Sequence, residues 1–169
     1  EGTAASHNRL LYFQRMFELL DINPLGHALD IYNCYWNIFL EHMAFEEGTE
    51  AFLGALAGVP VCLVSDLTAH IQYRKIGKLG LARLVRHVVT SEEAGREKPH
   101  PDIFRLALGK LDLPASAVCM VGDSFSKDIL GAANLGIPSF WLNRAREIQP
   151  LPASAREVKG LHEIIGYLS

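Results

Sequence analysis

The chain has 169 residues and a formal charge of -3, with 49% hydrophobic and 21% charged side chains. That length holds one domain with a substantial core, or a core plus part of an accessory unit, and leaves two full domains cramped. No basic stripe stands ready to neutralise a phosphate backbone, so nucleic acid is not an expected partner. The longest uncharged apolar stretch, Ala51 to Val64, is broken by Gly54, Gly58 and Pro60 and falls short of the ~20 residues a membrane-crossing helix needs, so no membrane is expected either.

The sequence opens on polar residues ahead of an amphipathic run, without the charged-then-apolar pattern of a secretory leader. Cys34, Cys62 and Cys119 are odd in number, far apart and set among apolar residues, which predicts buried free thiols in a reducing compartment. A cytoplasmic protein is the expectation.

From Asn8 to Leu20 the apolar residues Leu10, Leu11, Phe13, Met16, Phe17 and Leu20 recur at helical spacing, and Asp21 with Asn23-Pro24 supplies a stop. His27 to Met43 repeats the pattern with Leu29, Ile31, Tyr32, Tyr35, Trp36, Phe39, Leu40 and Met43, so a helical hairpin is predicted. A short third helix runs from about Thr49 to Leu56. After Gly58 the character changes: Val59 to Val64 (VPVCLV) is a continuous, β-branched apolar run, as expected of a strand covered on both faces.

Beyond it strands and helices alternate. The reading is helix Ala69 to Lys78, strand His87 to Thr90, helix Pro101 to Leu111, strand Ala117 to Val121, helix Lys127 to Leu135, strand Pro138 to Leu142 and helix Val158 to Tyr167. Such alternation implies right-handed βαβ crossovers and a doubly wound parallel α/β sheet with helices on both faces. The helical part is assigned to residues 1–48 and the α/β core to residues 49–169.

Ligands of an open parallel sheet bind at the carboxyl ends of its strands. After VPVCLV comes Ser65-Asp66-Leu67-Thr68, which places a hydroxyl and the backbone N–H groups of a strand-to-helix turn where a phosphate can be held. The competing reading is that Ser65 or Thr68 caps the following helix. In the loop after the second strand Lys98 precedes Pro99-His100-Pro101, and the prolines stiffen the backbone that displays its ammonium. Taken singly, it reads first as a solvated surface lysine.

The stretch GDSFSKDILGAANLG, Gly122 to Gly136, says more. Asp123 closes an apolar strand and Asp128 falls in the first turn of the helix that follows, so two carboxylates can share one hard cation. A helix N-terminus favours acidic residues in any case, which accounts for Asp128 but not for Asp123. None of the seven histidines shows metal-ligand spacing, and His100 alone lies near this presumed site, where packing in the loop is its expected role. Arg9 and Arg15 are polar-face candidates of the first helix.

The ordered set of Ser65 after VPVCLV, Lys98 in GREKPHPDIF, and GDSFSKDILGAANLG closely resembles the second, third and fourth motifs of the haloacid dehalogenase-like superfamily of phosphatases. The match runs over residues 59–143. The resemblance implies a Rossmann-like core with a helical cap, Mg2+ as cofactor and a small phosphorylated metabolite as substrate. It implies that Ser65 and the Asp66 turn bind phosphoryl oxygens, that Lys98 stabilises nucleophile and phosphate, and that Asp123 with Asp128 holds Mg2+ directly or through water.

The superfamily's first motif is an apolar strand followed by DxDxT or DxDxV, whose first aspartate attacks phosphorus. Upstream of Ser65 the aspartates are Asp21, at the close of a helical pattern, and Asp30, inside an amphipathic helix; neither matches. The resemblance therefore implies an N-terminal strand missing from this chain, belonging between the strands of Ser65 and Asp123 and supplied by a preceding segment or by a second chain. A phosphomutase, a dehalogenase, a receiver-like domain and a non-catalytic α/β binding module are the alternative readings of the same residues.

Overall fold

The computed structural model describes residues 6–167. Helix α1 (Arg9–Leu19) starts where the Asn8 side chain accepts the Leu10 N–H at 3.0 Å, the usual way of satisfying a first-turn donor. It is followed by α2 (Ala28–Glu41), and the two form a hairpin with Phe17, Trp36 and Leu40 buried and the Phe13 and Tyr35 rings edge-on at 5.9 Å. The short α3 (Thr49–Ala55) turns Phe52 into a cluster with Leu142, Val158 and Ile164 from the far end of the chain.

Strand β1 (Cys62–Ser65) leads through α4 (Ala69–Lys78) to β2 (His87–Thr90), which pairs parallel to β1 with Ser65 opposite Thr90. Then come α5 (Ser91–Ala94), α6 (Pro101–Leu111), β3 (Met120–Gly122), a π-helical turn (Phe125–Ile129) and α7 (Leu130–Ala133). The chain closes with β4 (Ser139–Leu142), β5 (Ala155–Val158) and α8 (Leu161–Ile165). Both β3–β4 and β4–β5 are parallel pairs.

This is the α/β architecture predicted, with parallel strands and helices packed upon them. Among the described residues the strands form two sheets, β1–β2 and β3–β4–β5, with no ladder between β1 and β3. The main apolar cluster joins Val89 of β2 to Ile103, Phe104 and Ala107 of α6 and to Ala132 and Ile137 beyond. It thus ties the first sheet to the segment that follows β3.

Several elements differ from the sequence reading. The expected strand Ala117 to Val121 is a 3-10 turn at Ala115–Ala117 followed by β3. The expected single helix from Lys127 is a π-helical turn and one turn of α-helix. Val158 ends a strand, β5, that was not foreseen. Cys34 and Cys119 are exposed rather than buried, while burial pushes the half-buried Cys62 thiol up to about 11. Among the described residues no helix is long and apolar enough to cross a membrane.

Candidate active site

The carboxyl ends of β1 and β3, together with the loop after α5, carry the polar residues singled out in the sequence. Lys98 is the hub. Its ammonium donates to the Val64 carbonyl at 3.1 Å and to Asp128 Oδ1 at 2.7 Å. Residues from three separate motifs therefore meet on one side chain, of which 12% is exposed. The backbone N–H of Lys98 donates to Asp66 Oδ1 at 2.9 Å, and the Lys98–Pro99 peptide bond is cis.

Asp128 is 4% exposed, and both its oxygens are engaged, Oδ1 with Lys98 and Oδ2 with the Ser124 N–H at 3.1 Å. It lies directly over Gly122, where a methyl group would stand 2.4 Å from Oδ2. The π-helical turn makes this possible: the Ser124 hydroxyl caps it by accepting from the Lys127 N–H, and Asp128 points back toward the end of β3. Asp123 differs. Its backbone carbonyl accepts from the Trp141 indole at 3.0 Å, while its carboxylate is exposed and has no partner among the described residues.

Ser65 ends β1, and its hydroxyl accepts from the Gln72 amide on α4. The capping alternative is not what the chain does: Thr68 makes no side-chain cap, and the Ala69 N–H goes instead to Glu92 Oε2 at 2.9 Å. His100 caps α6, its Nδ1 accepting from the Asp102 N–H at 3.3 Å. Arg15 pairs with Glu18, and Arg9 lies over the Tyr12 ring, so both serve their own helix.

Around Asp66, expected only at the phosphate turn, stands a group whose other members, Lys127, Glu97 and His7, escaped the sequence reading. Lys127 donates to Asp66 Oδ2 at 2.9 Å and lies 3.5 Å from both Glu97 Oε2 and His7 Nε2. His7, Asp66 and Glu97 are close enough together for a metal site, all within 4.8 Å, but the cation they hold here is the lysine's own ammonium. Burial pulls the Lys127 pKa down, yet the hydrogen bond and charge of Asp66, then Glu97, outweigh it and raise it. No local pattern announces such contacts, because Asp66 and Lys127 stand 61 residues apart.

Oxygen donors of this kind suit a hard divalent cation. Asp123, with a free carboxylate at the strand end, fits Mg2+ as a direct ligand; Asp128, with both oxygens engaged, fits it only at one remove. As for the aspartates upstream, Asp21 follows α1 with a φ of 57° and Asp30 lies in α2, so neither stands at a strand end.

Comparison with known proteins bears on the family and the fold. Residues 6–136 match the family model of haloacid dehalogenase-like hydrolases. Over 149 residues the chain is 41% identical to a ribulose-1,5-bisphosphate 5-phosphatase of Halopiger xanaduensis, covering 86% of this chain and 62% of that protein. Over 84 residues it is 36% identical to a glyceraldehyde 3-phosphate phosphatase of Pyrococcus abyssi, covering 50% of this chain and 35% of the relative. The chain thus spans from about a third to about three-fifths of these relatives' length. The solved 2-haloacid dehalogenase of Pseudomonas syringae pv. Tomato DC3000 shares the fold at a TM-score of 0.76 and 23% identity, covering 98% of this chain and 70% of that one. The chain belongs to the haloacid dehalogenase-like hydrolase family.

Proposed function

We propose that the whole protein is a magnesium-dependent phosphatase acting on a small phosphorylated metabolite, and that these residues hold its phosphate and metal. One observation carries the reading: the Lys98 ammonium sits between the end of β1, beside Ser65, and the buried Asp128 after β3. A cation so placed can neutralise a phosphate held at the Ser65 turn without leaving its carboxylate partner. Both relatives named above are phosphatases of phosphorylated sugars by name, which supports a sugar phosphate as the substrate class.

In this reading Ser65 offers its hydroxyl to a phosphoryl oxygen. Asp66 contributes through the backbone of its turn, since its carboxylate is already taken by Lys98 and Lys127. Asp123 would bind Mg2+ directly and Asp128 through water, and the cation would supply charge neutralisation at the phosphoryl oxygens. The nucleophile is an aspartate outside the described residues: its oxygen–phosphorus bond forms as the ester bond breaks, the alcohol departs with a proton, and water then releases inorganic phosphate from the aspartyl-phosphate. Residues 1–48 would form part of the cap over this site and residues 49–169 part of the core.

The test is magnesium-dependent phosphate release by the whole protein. Lys98→Ala and Asp123→Asn are each expected to lower kcat by about 100- to 1000-fold, the scale of losing one preorganised electrostatic group. Unchanged turnover in either variant overturns the assignment.

A further inference from the structure

We infer that Asp66 is a positioning residue for Lys98, with Lys127 as its counter-cation. The inference rests on the phosphatase reading for its kinetic consequence but not for its geometry. Lys98 is held at both ends. Its ammonium reaches the Val64 carbonyl and Asp128 Oδ1, while its backbone N–H donates to Asp66 Oδ1 at 2.9 Å. Val64 and Asp66 flank Ser65, so the hydroxyl at the end of β1 and the lysine share one anchor.

The other oxygen of Asp66 faces Lys127, the residue immediately before Asp128 on the π-helical turn. The four residues close a ring: Asp66 to the Lys98 backbone, the Lys98 ammonium to Asp128, one step along the chain to Lys127, and back to Asp66 at 2.9 Å. Acidic and basic residues alternate around it, and the Asp66 carboxylate has the Lys127 ammonium as its direct counter-charge, which Lys127 shares with Glu97.

Asp66 is only 11% exposed at its side chain, and Glu97, 6% exposed, backs Lys127 from the other side at 3.5 Å. With these contacts the loop that carries Lys98 is fixed to the end of β1 through a carboxylate. A misplacement of about 1 Å at a catalytic group costs on the order of 100-fold in rate. Asp66 and Lys127 therefore act on the reaction through the aim of Lys98 and touch no substrate with their side-chain charges.

Two measurements on the whole protein test this: steady-state kinetics with a phosphate monoester, and peptide-resolved acylation of Lys98 by an amine reagent. Asp66→Ala is expected to lower kcat by about 10- to 100-fold with KM changed less than about threefold, and to raise the labelling rate of Lys98 severalfold. Asp66→Asn keeps an acceptor for the Lys98 N–H and is expected to recover part of both effects. Wild-type kcat and wild-type labelling in Asp66→Ala overturn the inference, as does a loss of stability with neither readout moved. Should Asp66→Ala fail to fold, Lys127→Gln decides: faster Lys98 labelling supports the ring, unchanged labelling refutes it. If the unaltered protein releases no phosphate, the proposed function falls while the labelling result still judges the positioning.

Discussion

A methyl group on Gly122 would lie within 2.5 Å of three atoms of the Asp128 side chain, nearer than packed atoms come. The glycine is required by a neighbour's position rather than by its own backbone angles. Gly122→Ala must push Asp128 away from the Lys98 ammonium or bend the end of β3. The expected result is a loss of about 1–3 kcal/mol, the usual cost of overpacking, together with a fall in phosphate release. Thermal denaturation alongside kinetics checks it, and an unchanged melting temperature would mean that Asp128 leaves this place at no cost. The same residues show what sequence can and cannot convey. Ser65, Lys98 and Asp123 are visible because they stand together in order, two at the ends of apolar runs and one just before a proline, although Ser65 and Lys98 taken singly have ordinary structural readings. Asp66, Glu97, Lys127 and His7 meet only through the fold; their ion pairs join residues with no common period or spacing.

Elements whose faces are set by a single periodicity were legible to the residue: α4, β2 and α6 run as their apolar spacing indicates. Strand β5 was not, because Ala155, Arg156, Glu157 and Val158 offer a half-exposed pattern with two charges and no apolar run. The π-helical turn was hidden as well, since an i→i+5 bond leaves no mark in residue type. Helix packing around the site gives a paired prediction. A side chain at Gly131 of α7 would strike the Phe104 ring at 2.5 Å and the Pro99 backbone at 3.2 Å, whereas Gly109 of α6 has nothing within 4 Å. Gly109→Ala is therefore expected to stabilise the protein by about 0.4–1 kcal/mol through the unfolded chain. Gly131→Ala is expected to destabilise it and, by shifting Pro99, to lower kcat more than it changes KM. Equal effects of the two substitutions in chemical denaturation would contradict the packing described.

At the scale of the molecule the two parallel sheets are joined by side chains and helices, with no ladder between β1 and β3 among the described residues. The apolar part of that junction is Gly131 against Phe104 and Pro99; the polar part is Lys98 reaching from the Val64 carbonyl to Asp128. Removing one partner of a buried ion pair leaves the other desolvated and alone, at a cost of about 3–5 kcal/mol, far more than the pair itself contributes. Lys98→Met should therefore be strongly destabilising, because Asp128, 4% exposed, would keep only the Ser124 N–H. Asp128→Asn should cost less, since the Lys98 ammonium retains the Val64 carbonyl and is the more exposed partner at 12% against 5%. The double variant removes both charges and is expected to be more stable than Lys98→Met alone, with an interaction energy of about 1–3 kcal/mol in a double-mutant cycle on the whole protein. Strict additivity would show that the pair does not bridge the two sheets in solution. Because activity in the proposed reaction needs the Lys98 charge whatever the stability, the double variant should regain folding without regaining turnover, and that separation distinguishes the lysine's structural part from its chemical one.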